Sequence, residues 1–324
     1  MRHPGYPICA LLGLLAVLLP SPWHWRARNI STLGLIFWLS ITNLTIIINS
    51  LLWADNIVDR SPVWCDISGR IFIAASVAIP ASSFSQMRRL ESVASTRHLI
   101  ASRNARMRRT ALDIALCFGL PLVQLALRYI TQGHRYDIIE HIGCQIPAYM
   151  SWPNVVISSV IPLVLAVGAT IYASLAFRWF ILRRLQFKAV LNASRTGLNT
   201  GRYLRLIALA VTDISLVLFA TLFILISSVK VNGISPFSWH AVHIEFATIS
   251  QYPEDLLLGA YSTYATTVYL YPVYSFSFFV FFGFGEEAIQ EYMARWSQLQ
   301  TSFLRIMGRR SVELWLRSRC HGEF

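Results

Sequence analysis

The chain has 324 residues, 55% of them hydrophobic and 14% charged, with a formal net charge of +12. A soluble domain carries about 25% charged residues, so the composition excludes an ordinary water-soluble enzyme, and seven spans of about 20 residues with their loops are expected to use most of the length. The basic excess alternates with the apolar runs instead of forming one stripe, which points to topology and anionic lipid contact and away from nucleic acid.

Within the first apolar run, residues 6–19, the stretch from Ile8 to Leu19 resembles a signal-peptide core in length. However, Arg2 is its only nearby positive charge, Pro20, Ser21 and Pro22 follow it, and it lacks a small-x-small cleavage site, so it is read as a retained span. Further spans are expected over residues 33–53, 66–87, 110–130, 154–177, 203–229 and about 256–282. These assignments predict an all-α membrane protein, a seven-transmembrane helix bundle over residues 1–285. A short cytoplasmic tail over residues 286–324 follows, where Ile289, Tyr292, Met293, Trp296, Leu299, Phe303 and Leu304 recur at helical spacing, as in an amphipathic helix lying in the membrane interface. Cys320 is fifth from the end, so the terminus is not a prenylation box.

Basic residues fall in every second gap. Arg26 and Arg28 follow the first span, while denser sets lie between residues 88 and 109, between 178 and 205, and in the tail. Together these hold 22 of the 28 lysines and arginines. Cytoplasmic loops collect such residues, so the N-terminus is placed outside and the C-terminus in the cytosol.

Metalloprotease, serine-hydrolase and P-loop motifs are all missing from the sequence, so no catalytic residue and no cofactor are expected. The only lysines, Lys188 and Lys230, lie in loops, which removes a retinal-type Schiff base. His240, His243 and Glu245 are neighbours in an outer loop, but a structural zinc there is the lesser reading and no metal site is expected. Cys9 and Cys117 are read as apolar fillers. Cys65 and Cys144 both face the oxidising side, where a disulfide between them would persist. Asn43, Asn49, Asp113, Gln124 and Asp213 are polar groups of a kind that usually faces the bundle interior, while Asp113, near the inner end, has the alternative of meeting water or the arginines around it. For Asp213 an interhelical hydrogen bond that changes on activation and static packing both stay open. Pro80, Pro121, Pro162 and Pro272 lie inside spans and can kink them.

Several segments then carry a resemblance. They are Pro22-Trp23-His24-Trp25-Arg26-Ala27-Arg28-Asn29, Val63-Trp64-Cys65-Asp66-Ile67, Arg88-Arg89-Leu90, Gln132-Gly133-His134-Arg135-Tyr136-Asp137, Gly143-Cys144, Arg202-Tyr203-Leu204-Arg205-Leu206 and Phe281-Phe282-Gly283-Phe284-Gly285. In this order they resemble the fungal a-factor-type (Ste3-like) mating pheromone receptors, class D of the G-protein-coupled receptors, and among them the basidiomycete members. The resemblance implies a multi-pass plasma-membrane receptor. Its ligand would be a short farnesylated peptide pheromone, and its cytosolic partner a heterotrimeric G protein acting in the mating response.

On that reading the outer ligand residues are Trp64, Asp66, Arg70, Tyr149, Trp152, Tyr261 and Tyr264, although an ordinary interfacial aromatic belt accounts for about half of the outer aromatics. Arg88, Arg89, Arg183, Arg184 and Arg205 are the expected G-protein contacts, since arginines favour the negative C-terminal end of a docking helix. Membrane lipids are further partners, nucleic acid is not, and a homodimer stays open. The competing class is a seven-helix transporter or channel for a small solute. That class often shows internal repeats and deep ionisable groups, whereas here the halves do not repeat and Asp213 alone is deep.

Overall fold

The computed structural model describes residues 3–95, 102–182 and 200–284, together with Met293, Trp296 and Ser297. The seven apolar runs form seven helices: α1 (Gly5–Leu18), α2 (Ile30–Leu52), α3 (Pro62–Ala94), α4 (Arg103–Tyr129), α5 (Trp152–Leu182), α6 (Thr200–Asn232) and α7 (Glu254–Phe282). All but α1 are long and apolar enough to cross a bilayer. The 14 residues of α1 rise about 21 Å, less than the hydrocarbon thickness. It is nonetheless an integral member, packed between α2 and α7.

Burial ranks the helices. Two thirds of the apolar window of α3 (67%) is buried against 22% for α4, so α3 is the central helix, touching α2, α4, α5 and α6. Leu122, Val123, Val164, Ile171, Phe219 and Leu222 are exposed on the perimeter, the face a bilayer would cover. The main core joins Leu39, Phe72, Ala75, Ala78, Tyr271 and Phe278 from α2, α3 and α7. Helices α1 and α7 approach closely, since a Cβ on Gly13 would fall 3.2 Å from the Pro272 Cα and 2.9 Å from Asn43 Oδ1. Asn43 meanwhile donates to Ser275 Oγ at 2.8 Å.

The prolines shape two helices through the carbonyls they leave open. Pro121 has no N–H for the carbonyl four residues back, that of Cys117. A π-turn forms at Ala115–Gly119, and the Trp38 indole of α2 donates to the Cys117 carbonyl at 2.9 Å. In α5 the π-turn is Val156–Val160. Pro162 stands five residues after Ile157, the π-helical donor position, and Gln124 of α4 donates to the Ile157 carbonyl at 3.1 Å. Neighbouring helices thus satisfy both openings, as a low-dielectric interior requires.

The long loops at one end build a small sheet, a feature the hydrophobic periodicity does not announce. Strands β1 (Tyr136–Ile139), β2 (Gly143–Gln145) and β3 (Ile249–Tyr252) lie in the order β2-β1-β3. β1 pairs antiparallel with β2, Ile138 opposite Cys144, and parallel with β3, Ile138 opposite Gln251. The β1–β2 turn needs His141 at φ +66° and Gly143 at φ +86°. A side chain at Gly143 would meet Asn49 of α2 at 2.6 Å, so glycine there allows both the turn and its seat on α2. Cys65 at the start of α3 and Cys144 of β2 form a disulfide with Cα atoms 5.1 Å apart. Around it Trp53, Tyr136 and Ile138 make a second, smaller core.

Candidate functional site

The bundle has two chemically different ends. At the sheet end, the Trp64 indole donates to Asn49 Oδ1 at 2.8 Å and packs against the disulfide core, so it holds the cap on the bundle. Asp66 accepts from Arg135 at 2.7 Å and from Arg70, one helical turn away, at 3.3 Å. Asp66 and Arg70, four residues apart on one helix face, thus pair, and Arg135 of the loop is the closer partner of Asp66. The Tyr136 hydroxyl donates to Asp59 at 3.0 Å. Burial first, and the Asp59 carboxylate second, push that hydroxyl up to about 12. His134 Nε2 lies 2.5 Å from Asp137 Oδ1, and this contact raises the imidazole above its ordinary value against a smaller opposing effect of burial.

Deeper at the same end, the Tyr261 hydroxyl lies 3.2 Å from that of Tyr6, and both rings pack on the main core. Tyr264 also borders this core. Arg128 donates to Asn154 and, at 2.7 Å, to Ser158, both on α5. The seven predicted ligand residues therefore fall into separate groups. Tyr261 and Tyr264 line the interior along α7, and Asp66 with Arg70 occupies the rim of α3. Trp64 serves the cap. Tyr149 is half-buried beside Gly133, while Trp152, 65% exposed, stands apart in the position of a belt residue. Arg128 is a candidate site residue that the sequence reading does not single out. Its place inside the predicted span at residues 110–130 is the signal that could have found it, since a charge within a span points inward.

At the other, arginine-rich end, Arg88 of α3 donates to Asp113 of α4 at 2.5 Å. Asp113 also accepts from Ser85 at 2.5 Å, and Ser85 pairs with Ser31 of α2 at 2.8 Å. Arg89 is exposed and donates to Asn29 at 3.0 Å. A cavity of about 350 Å³ opens here, lined by Arg28, Arg88, Arg89, Arg106, Arg109, Glu91, Asp113 and Tyr172. Arg205 of α6 is half-buried. Arg183 and Arg184 lie outside the described residues, as does nearly all of the tail, so the amphipathic tail helix is not described. Between the two ends, Ser83 of α3 donates to the buried Asp213 of α6 at 2.8 Å.

Sequence proximity does not make a site of His240, His243 and Glu245. Both ring nitrogens of His243 face backbone carbonyls, Nδ1 that of Trp239 at 2.9 Å and Nε2 that of Tyr129 at 3.1 Å.

Comparison with known proteins gives a consistent answer. Residues 5–301 match the family described as Pheromone A receptor. The chain is 37% identical over 292 residues to the Pheromone B beta 1 receptor of Schizophyllum commune, covering 90% of this chain and 54% of that protein. It is 34% identical over 293 residues to Pheromone receptor 1 of Mycosarcoma maydis, covering 88% and 81%. Against the Pheromone a factor receptor of Saccharomyces cerevisiae the identity is 24% over 314 residues, covering 94% and 65%. The chain thus spans about half the length of the Schizophyllum receptors it matches.

Proposed function

The chain belongs to the fungal Ste3-like pheromone A receptor family, multi-pass proteins of the plasma membrane, and from that premise we propose that it is the receptor for a short farnesylated peptide mating pheromone and activates a cytosolic heterotrimeric G protein. The observation that carries this reading is one bundle with different chemistry at its two ends. A stapled cap and a tyrosine-lined interior lie at one end, and an arginine-lined cavity at the other.

The sheet end belongs outside, because its disulfide needs an oxidising compartment and the arginines belong inside. Tyr261, Tyr264 and Arg128 would meet the peptide, whose backbone needs donors and acceptors, while the farnesyl group would bury apolar carbons at about 0.8 kcal/mol each. Asp66, Arg70 and Arg135 would set charge at the rim. On the inside, Arg88, Arg89 and Arg205 would receive the negative end of a G-protein helix, Arg89 by direct contact and Arg88 by shaping the cavity. The Ser83–Asp213 bond ties α3 to α6 between the two sites, so a ligand that favours one arrangement of these helices would shift the population seen by the G protein.

Expression in a yeast reporter strain without its own receptor, challenged with farnesylated and unmodified peptides, tests the proposal. The expected result is a response to a farnesylated peptide that weakens at least a hundredfold when the lipid is removed. Equal potency of the unmodified peptide would remove the lipid cavity. Ligand-driven solute flux in vesicles with no G-protein response would replace the receptor by a transporter.

A further inference from the structure

Three side chains of metal-ligating type, remote in sequence, converge at the sheet end. His3 precedes α1, His141 occupies the β1–β2 turn and Glu254 opens α7. His3 Nε2 lies 3.2 Å from each Glu254 carboxylate oxygen, His141 Nε2 lies 3.4 Å from Glu254 Oε2, and the ligand atoms all fall within 4.8 Å of one another.

His141 is the decisive member. It is 2% exposed, and its Nε2 makes no hydrogen bond among the described residues, although it faces the carboxylate. A buried polar atom left without a hydrogen bond costs about 1–3 kcal/mol, a cost that a ligand on that nitrogen would remove. The surroundings hold the group in place. The His141 main-chain N–H donates to the Trp53 carbonyl at 2.8 Å, the His3 and His141 ring centroids stand 4.8 Å apart, and the Glu254 main-chain N–H donates to Glu140 Oε2 at 3.1 Å.

We propose that His3, His141 and Glu254 form a binding site for a divalent transition-metal ion of the zinc class. Two imidazoles and one carboxylate suit zinc, nickel or copper and not magnesium or calcium, which prefer all-oxygen shells. The spacing agrees: tetrahedral bonds of about 2.0–2.1 Å put neighbouring donors about 3.3–3.4 Å apart, close to the 3.2 and 3.4 Å separations of the two histidines from Glu254. Closing the wider His3–His141 edge is the adjustment the ion requires. The fourth position is left to water or to a peptide carbonyl. Bound there, the ion clamps the segment before α1 to the β1–β2 turn and to the start of α7, beside the Tyr6–Tyr261 pair. The site stands independently of which pheromone the receptor binds.

Zinc titration of the full-length receptor in nanodiscs, purified without a histidine tag and followed by competition with a chromogenic chelator, tests the assignment. One tight site is expected, with a thermal midpoint that rises as zinc is added. His3→Ala and Glu254→Gln should each weaken binding more than tenfold and abolish the zinc-dependent rise. His3 lies ahead of the bundle, so that variant remains informative if His141→Ala fails to fold. His240→Ala should bind as the parent does. Absence of a tight site in the parent, or unchanged affinity in both His3→Ala and Glu254→Gln, would overturn the proposal and leave the three residues as His–Glu ion pairs only.

Discussion

Arg88 and Asp113 form an ion pair between α3 and α4 at 2.5 Å, and the carboxylate is shared with Ser85. Its burial separates two neighbouring arginines that look equivalent in sequence. Asp113 is 7% exposed, and removing one partner of a buried pair costs about 3–5 kcal/mol. Arg88→Ala is therefore expected to lower both the thermal midpoint of the purified receptor and its signalling. Arg89 is exposed, and Arg89→Ala should change stability by less than about 1 kcal/mol while lowering G-protein output. Unfolding curves together with reporter output normalised to surface expression measure the difference. Matching effects of the two substitutions would deny Arg88 its structural part.

The disulfide makes a separate prediction. Cys65 and Cys144 are 79 residues apart, and a crosslink closing a loop of that size contributes about 4.5 kcal/mol in the chain-entropy picture. Cys144→Ser should reduce surface yield and loosen the sheet end. The Cys65→Ser/Cys144→Ser double variant should match it, because the two losses are one loss. Free-thiol labelling of the intact receptor that finds both cysteines reduced would contradict the bridge.

How much of this was legible in the sequence differs from one feature to the next. The span predicted at residues 33–53 became Ile30–Leu52, because apolar residues and helix coincide there. The span predicted at residues 66–87 became Pro62–Ala94, because the helix continues through Arg88, Arg89 and Glu91 beyond the apolar stretch. Hydropathy marks the membrane-spanning part of a helix and not its end. The sheet was not legible: β1 is four residues long and pairs with β3 more than a hundred residues later, and such non-local pairing leaves no periodicity. For the same reason no local pattern joins His3, His141 and Glu254. The Asp66–Arg70 pair was readable, since both residues lie on one helix, whereas Arg135, the closer partner of Asp66, comes from a loop.

His134 gives the cap a pH dependence of definite sign. Asp137 raises the His134 value in the folded state above its usual value of about 6.5. The protonated pair therefore contributes its full stabilisation below about pH 6.5 and loses it as pH rises through the raised value. Thermal midpoints measured from pH 5.5 to 8.5, with a chelator present to keep metal out, should fall more steeply for the parent than for His134→Asn. Parallel curves would show that the His134–Asp137 contact adds nothing.

Trp38 and Pro121 supply a test of the interior hydrogen bonding. Pro121 leaves the Cys117 carbonyl without its helical donor, and the Trp38 indole takes that place at 2.9 Å. Trp38→Phe keeps an aromatic ring but loses the N–H, and a buried carbonyl left unpaired costs about 1–3 kcal/mol. Pro121→Ala returns a backbone N–H to the helix, so in that background the same Trp38→Phe change should cost less. The double-mutant cycle cancels the packing volume lost at Trp38 and isolates the hydrogen bond. A coupling of about 1 kcal/mol is expected between the two positions. Strict additivity of the unfolding free energies would mean that Trp38 is held by packing alone, and that the π-turn, not the indole, absorbs what the proline removes.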